Sequence, residues 1–193
     1  MANIFDVAKY ILDTTGGQIS AMKLQKLCYY CQAWHLVWDG KPLFDEEFLR
    51  WDNGPVCREL YDLHKGMFAV ASDIIPEYCL SDHEFTNAEI EHMEQVIEDY
   101  GKYTGGQLSE LSHSEDPWLN TKKNEIITKD SMDAYYGNLD KAELFDDPYF
   151  KSTQFLTDVE KVIADTAKDE KIEIGEVKNG KEVFEKLGIS LDV

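Results

Sequence analysis

The order of apolar and polar residues along the chain predicts a protein made mainly of helices. Near the N-terminus, Ile4, Val7 and Ile11 recur at steps of three and four residues, which is the spacing of one face of an α-helix. The run from Thr14 to Gly17 interrupts this spacing with threonines and glycines. The pattern therefore predicts a first short helix over residues 4–13.

A second, longer helix is predicted between Ser20, a residue type that favours the N-cap position, and the pair Asp39-Gly40. Its apolar and aromatic residues again recur at steps of three and four, so they form one stripe along the helix. The stripe consists of Leu24, Leu27, Cys28, Cys31, His35 and Trp38, with Trp34 beside it. The polar residues predicted to lie largely off this stripe are Lys23, Gln25, Lys26 and Gln32.

A short strand is predicted at residues 48–51, where large side chains alternate before the turn-forming pair Asn53-Gly54. Pro55 is typical of the first turn of a helix, so a third helix is predicted over residues 56–64. Residues 68–80 are expected to be irregular or partly extended.

Thr86 and Glu89 have the spacing of a capping box, which predicts that a further helix begins there and continues to about Tyr100. Apolar residues at helical spacing form its inner face, and carboxylates form its outer face. The acidic ridge, as we call these carboxylates, consists of Glu91, Glu94 and Glu98.

Two more short helices are predicted, at residues 107–113 and within residues 128–137. The expected fold is therefore mainly α with a small β-sheet, of the α+β class. One compact helical domain is expected over residues 1–149, followed by an acidic C-terminal extension, 150–193, that contains a helix and a strand. From Asp140 onward the chain has 14 Asp plus Glu against 8 Lys plus Arg.

The formal net charge is −19, from 38 acidic and 19 basic residues, and it is unevenly distributed. Residues 73–100 contain nine acidic residues and no Lys or Arg. Proteins neutralise nucleic-acid phosphates with Lys and Arg, so direct binding to DNA or RNA is disfavoured. The acidity favours a basic protein partner, such as one that itself handles nucleic acid; solubility alone is the other explanation.

The expected location is the cytoplasm. The chain has no run of eighteen apolar residues, so no membrane span is predicted. The N-terminal stretch MANIFDVAKYILD lacks the basic and apolar regions of a signal peptide. Four cysteines without an export signal indicate a reducing compartment.

Cys28, Cys31 and His35 share one face of the second helix, which leaves three interpretations open. A metal half-site is geometrically allowed, although structural zinc sites need about four ligands. Redox chemistry favours a cysteine pair at a strand-to-helix junction, and that context is absent. Free cysteine packs like a small hydrophobe, so burial in the core is the favoured interpretation, with no metal and no cofactor.

The chain shows no motif that identifies an enzyme, since phosphate loops, dinucleotide fingerprints and nucleophile elbows are all absent from the sequence. His113 precedes a Pro-Trp turn and is expected to be a hydrogen-bonded structural residue. Trp51 and Trp118 also lie beside turns. They either pin these turns to the helices or serve as anchors for a partner.

Three motifs in this order resemble the SocA-like antitoxin family, also called the Panacea domain and related to the phage-associated protein GepA. They are MKLQKLCYYCQAWHLVWDGKPLF, then WDNGPV followed by Tyr61, then LSELSHSEDPW. The resemblance extends from about Ile4 to Tyr136. The family typically has Leu and Ala where this chain has Cys28 and Cys31, which supports the interpretation that both cysteines pack in the core.

The resemblance implies a non-enzymatic antitoxin-type domain that neutralises a partner toxin, mostly by direct contact and in one type by delivering it to a protease. The alternative expectation is a phage anti-defence inhibitor whose carboxylates imitate nucleic-acid phosphates. Lys23 and Gln25 also belong to the family motifs. The residues expected at a partner surface are Trp51, Gly54, Pro55, Tyr61, Glu91, Glu94, Glu98, His113, Pro117 and Trp118.

Overall fold

The computed structural model describes residues 1–139, and these form the predicted α+β fold. The helices are α1 (Ile4–Thr14), α2 (Ala21–Asp39), α3 (Arg58–His64), α4 (Asn87–Tyr100), α5 (Gly105–His113), α6 (Asp116–Leu119) and α7 (Lys129–Tyr136). The strands are β1 (Gln18–Ser20), β2 (Phe48–Trp51), β3 (Gly54–Cys57), β4 (Ala69–Ala71) and β5 (Ile126–Ile127). Two small antiparallel sheets result, in which β1 pairs with β4 and β2 lies between β3 and β5.

The predicted domain end at residue 149 and the C-terminal extension lie outside the described residues. Within residues 1–139, none of the helices has both the length and the apolar character needed to cross a lipid bilayer.

Helix α2 is the central element, because α1, α4, α5, α7 and β3 all pack against it. Its side chains are buried around most of the helix. The prediction that Gln25, Lys26 and Gln32 lie off the buried face is therefore wrong, since all three are buried. Periodicity within one helix cannot reveal how many neighbours surround it. Lys23 is half-buried and donates from Nζ to the backbone carbonyl of Gly101 at 2.6 Å.

Gln32 shows how a buried amide on α2 is accommodated. Its Nε2 donates to the backbone carbonyl of Phe44 at 2.7 Å, and its Oε1 accepts from the N–H of Leu43 at 2.8 Å. Buried polar groups require such partners. These bonds fasten the segment that follows α2 onto the helix.

Caps confirm the two predicted ends of α2 and the predicted start of α4. The hydroxyl of Ser20 accepts from the backbone N–H of Lys23 at 3.2 Å, and Gly40, whose φ is 69°, caps the C-terminal end of α2. Thr86 and Glu89 form the predicted capping box at the start of α4. Helix α5 begins earlier than predicted, because a threonine caps it ahead of the two glycines.

Strand β2 lies where a strand was predicted, and beyond the turn it pairs with β3 in a hairpin that was not predicted, with Arg50 opposite Pro55. The prediction that Pro55 begins a helix is wrong, because this residue lies in β3 and helix α3 begins at Arg58. Proline has no N–H and is tolerated in a strand where no ladder bond needs one. That condition holds here, because Arg50, the residue opposite Pro55, directs its N–H to the other side of β2. There it donates to the carbonyl of Glu125 at 2.9 Å.

The thiols of Cys28 and Cys31 lie in the hydrophobic core, with exposures of 0% and 1%, which confirms the packing interpretation. Burial raises the pKa of both thiols, so they stay protonated, whereas nucleophiles and metal ligands are thiolates. His35 is also buried, and its Nδ1 lies 2.9 Å from Nδ1 of His92. Within the described residues, no three His, Cys, Asp or Glu side chains are arranged to hold a metal ion.

A fully buried carboxyl, that of Glu115, immediately precedes α6. It accepts a hydrogen bond from the hydroxyl of Tyr136 at 2.5 Å and another from that of Tyr30 at 3.3 Å. Burial raises the pKa of this carboxyl to about 8. At neutral pH the side chain is therefore mostly protonated, and it links α7 to α2 through the two tyrosines.

Candidate functional site

The β2–β3 hairpin brings together motif residues that are far apart in the chain. The indole N–H of Trp118, in α6, donates to the backbone carbonyl of Trp51 at 3.1 Å. The ring of Tyr61, in α3, lies edge-on to Trp51 with centroids 4.9 Å apart. The hydroxyl of Ser109, in α5, donates to the carbonyl of Asn53 at 2.8 Å. Three helices thus hold the tip of the hairpin in place.

His113 is held by contact with the ring of Trp118, whereas hydrogen bonds were expected to hold it. Its ring centroid lies 4.1 Å from that of Trp118, and the guanidinium carbon of Arg50 lies 3.7 Å from the centre of the same indole. Burial lowers the pKa of His113 to about 4, and the positive charge of Lys26 is the second cause of this shift. The imidazole is therefore neutral at pH 7, and within residues 1–139 its buried Nε2 has no hydrogen-bond partner.

Gly54 allows the hairpin to approach α2 closely. Its φ of 95° lies in the left-handed region that favours glycine. A Cβ atom at this position would lie 2.5 Å from Cε of Lys26 and 2.7 Å from Oγ of Ser112. Glycine is therefore required both by the backbone conformation and by the available space.

A cavity of about 220 Å³, which we call the hairpin pocket, lies between the hairpin, α2 and α3. Its apolar walls come from Met22, Val56 and the rings of Trp51 and Tyr61. Cavities with apolar walls and a few convergent polar groups are the usual form of ligand sites. The hairpin pocket has both features, because its floor is polar.

Part of this floor is a hydrogen-bond network between α2 and α3. The Gln25 amide accepts from the N–H of Cys57 at 2.9 Å and donates to its carbonyl at 3.2 Å. Nε2 of Gln25 also lies 3.0 Å from Nε2 of His64. Burial lowers the pKa of His64 to about 4, so this ring is neutral and accepts at Nε2, with its proton on Nδ1.

Lys26 completes the floor. Its side chain is fully enclosed, and its Nζ donates to the backbone carbonyl of Pro55 at 3.1 Å. Burial lowers the pKa of Lys26 to about 7. Because charged side chains are rarely buried without a partner, this lysine is the most unusual group of the site.

The acidic ridge lies on another element, the helix α4, and none of its glutamates lines the hairpin pocket. Glu91, Glu94 and Glu98 are all exposed. Glu94 accepts a hydrogen bond from the hydroxyl of Tyr10 at 3.2 Å. The three carboxylates form no ion pair with any residue that the structure describes.

The residues expected at a partner surface thus differ in exposure. The aromatic ones are half-buried and present part of their rings; they are Trp51, Tyr61, His113 and Trp118. The others from the hairpin and α6 are buried, so they shape the surface from within; they are Gly54, Pro55 and Pro117.

Sequence reasoning missed Lys26 as a member of a site. The missing signal is a second row on α2 that recurs at steps of four and three, like the predicted stripe. It consists of Met22, Lys26, Tyr29, Ala33 and Leu36. A lysine in such a largely apolar row indicates that this face of the helix is also buried.

Residues 24–119 match the model of the family described as antitoxin SocA-like, Panacea domain. The protein belongs to this family. The matched range runs from α2 to the end of α6, so it includes the hairpin and the half-buried aromatic residues. In this Panacea-domain protein, the hairpin pocket takes only Met22, Lys123 and Asn124 from outside that range. No match was found among curated proteins or among solved structures.

Proposed function

We propose that this Panacea-domain protein is an antitoxin that neutralises a toxin by direct protein–protein contact. The match of residues 24–119 to the antitoxin family carries the proposal. The hairpin pocket supports it, because Trp51 and Tyr61 are half-buried beside a concave surface. Tryptophan and tyrosine are enriched among the residues that dominate the binding energy of interfaces.

The proposed action is binding without catalysis. The core thiols are enclosed and protonated, which makes them poor nucleophiles. Among the described residues, neither histidine near the hairpin pocket is bonded to a hydroxyl or thiol that it could activate, since His64 contacts Gln25 and His113 stacks on Trp118. These contacts support a structural role for both imidazoles.

Tyr61→Ala tests the proposed contact surface. The chain and its variants are co-expressed with the product of the adjacent gene, and growth and binding are measured. We expect the unsubstituted chain to restore growth and Tyr61→Ala to weaken binding by roughly tenfold or more, because the ring forms a wall of the hairpin pocket. The matched control is Tyr78→Ala, whose side chain is 87% exposed and lies outside the pocket.

An adjacent gene product that is harmless alone, or that still kills in the presence of this chain, would refute the proposal for that pair. Equal rescue by both tyrosine variants would place the contact surface elsewhere. The toxin level separates two mechanisms of neutralisation. A constant level indicates a direct block, whereas a fall that depends on a host protease indicates delivery for degradation.

A second candidate function is inhibition of a nucleic-acid-binding defence protein through the acidic ridge. The exposed carboxylates of α4 favour it, together with the absence of Lys and Arg from residues 73–100. Such a surface can occupy a basic groove that normally holds phosphates. A CRISPR nuclease is one protein with a groove of this kind.

Reversing the charge of all three ridge residues, Glu91→Lys, Glu94→Lys and Glu98→Lys, should then weaken binding to such a nuclease by at least roughly 100-fold. The measurement is an affinity at low salt, where charges are least screened. The control variant, Asp45→Lys, Glu47→Lys and Asp133→Lys, changes net charge equally at other exposed positions. Unchanged affinity, or an equal loss in both variants, would contradict recognition by the ridge.

A further inference from the structure

The floor of the hairpin pocket holds one buried cationic group without an anionic partner. Lys26 is 1% exposed, and its bond to the Pro55 carbonyl is the only hydrogen bond of Nζ within the described residues. An ammonium group has three N–H donors, so two of them are left. The carboxylate on the rim of the pocket, that of Asp52, is already paired with Lys123.

Most of the remaining polar groups of the floor are engaged with one another; the exception is the buried Nδ1 of His64, which has no hydrogen-bond partner among residues 1–139. Gln25 is bonded to the backbone of Cys57 and to His64, which carries no charge at neutral pH. A volume of about 220 Å³ corresponds to about seven water molecules at the roughly 30 Å³ each occupies in the liquid. That is enough space for a carboxylate and part of the side chain attached to it.

We propose that the hairpin pocket binds one carboxylate group of the partner polypeptide, with Lys26 as its counter-ion and with Trp51 and Tyr61 against the attached side chain. A single cation matches a single negative charge. A phosphate carries more charge and is usually held by arginine forks or by several backbone N–H groups. None of the residues that line the pocket is an arginine.

Two kinds of group could supply this carboxylate, the free C-terminus of a chain and the side chain of an aspartate or glutamate. The inference rests on the proposed function, because the partner protein is what would bring either group. Small carboxylate probes test binding to the pocket separately from toxin neutralisation, since the measurement needs no toxin.

The protonation state of Lys26 provides the readout. Burial lowers its pKa to about 7, and a bound carboxylate favours the charged ammonium form and so raises this pKa. The charged and titratable groups around Lys26 come from the hairpin, α3, α5 and the segment before β5; they are Asp52, His64, His113 and Lys123. The two imidazoles are neutral near pH 7, and the other two groups form an ion pair.

The experiment is an NMR titration of the full chain with ¹³C-labelled lysines, in which the Cε signal of Lys26 is followed against pH. The probes are N-acetyl-phenylalanine, which has a C-terminal carboxylate, and N-acetyl-aspartic acid amidated at its α-carboxyl. The neutral control is N-acetyl-phenylalanine amide. We expect a carboxylate probe to raise the pKa of Lys26 by at least about one unit. At pH values above the pKa that Lys26 has without probe, the affinity for the probe should fall roughly tenfold per pH unit. The carboxylate probe that binds more tightly shows whether the pocket prefers a C-terminal carboxylate or an acidic side chain.

Lys26→Met should abolish binding of the carboxylate probes, whereas Lys123→Met, on the rim, should retain most of it. If Lys26→Met does not fold, the pKa of Lys26 in the unsubstituted chain decides. Absence of a shift with both carboxylate probes at tens of millimolar, or an equal shift with the neutral amide, overturns the inference. That result would not contradict the proposal of toxin neutralisation. In the same way, a failed rescue in the co-expression experiment would not contradict binding of the carboxylate probes.

Discussion

Glu115→Gln is expected to stabilise the protein above pH 8 and to change its stability little at pH 4. The carboxyl of Glu115 is fully buried, and burial raises its pKa from 4.5 to about 8. Between these values the folded protein holds a proton that the unfolded chain has released. The free energy of unfolding therefore falls as the pH rises through this window, by up to roughly 1.4 kcal/mol per pH unit.

Glutamine cannot ionise, but it preserves the hydrogen bonds of the site. Its amide oxygen can accept from the hydroxyl of Tyr136, and its amide nitrogen can donate to the oxygen of Tyr30, because both hydroxyls already contact the Glu115 carboxyl. The difference in unfolding free energy between variant and unsubstituted protein should thus grow with pH. It should approach an upper limit on the order of 5 kcal/mol above pH 8.

Urea unfolding of both proteins at pH 4, 6, 8 and 9 measures this difference. Lys26 also titrates near pH 7, but it is present in both proteins and drops out of the comparison. The control is Glu47→Gln, at an exposed position, which should stay within about 0.5 kcal/mol of the unsubstituted protein. A difference for Glu115→Gln that does not vary with pH would indicate a carboxyl ionised in the folded state.

Gly54→Ala is expected to destabilise the protein by roughly 3 kcal/mol or more, or to prevent folding. The backbone of Gly54 has a φ of 95°, which an alanine adopts only with strain. The added methyl carbon would also lie 2.5 Å from Cε of Lys26 and 2.7 Å from Oγ of Ser112. Both neighbours are buried, so they have little room to move.

Gly66→Ala separates the two causes of this loss. Gly66 has a similar φ of 81°, but no atom lies within 4 Å of the position that a Cβ would occupy. Its replacement should therefore destabilise the protein only through backbone strain, by roughly 1–2 kcal/mol. Chemical unfolding of both variants measures the excess that is due to packing. Equal losses would mean that the hairpin moves away from α2 without penalty.

Several elements could be predicted from the sequence because their causes are local. Ser20 caps α2 with its own hydroxyl, and Thr86 and Glu89 cap α4 reciprocally. These interactions join residues three positions apart, so their spacing in the chain is sufficient to identify them. The turn at Asn53-Gly54 is encoded in the same way.

The wrong predictions concern residues whose environment is made by other parts of the chain. Pro55 fits the start of a helix equally well, but the pairing of β2 with the segment around Glu125 allows it to lie in a strand. Gln25 and Lys26 fall outside the apolar stripe that the sequence predicts on α2. They are buried because the hairpin covers their side of α2.

The sequence by itself determined most of the helices of this protein, most of their ends, strand β2 with the turn after it, and the membership of the Panacea family. Its local patterns suffice for these features, because caps, turns and family motifs depend on residues close together in the chain. Only the tertiary structure decided that Lys26 lies beneath Trp51 and Tyr61, and that Glu115 is enclosed by tyrosines from α2 and α7. Burial by distant segments sets the charge of both groups, and no local pattern encodes it.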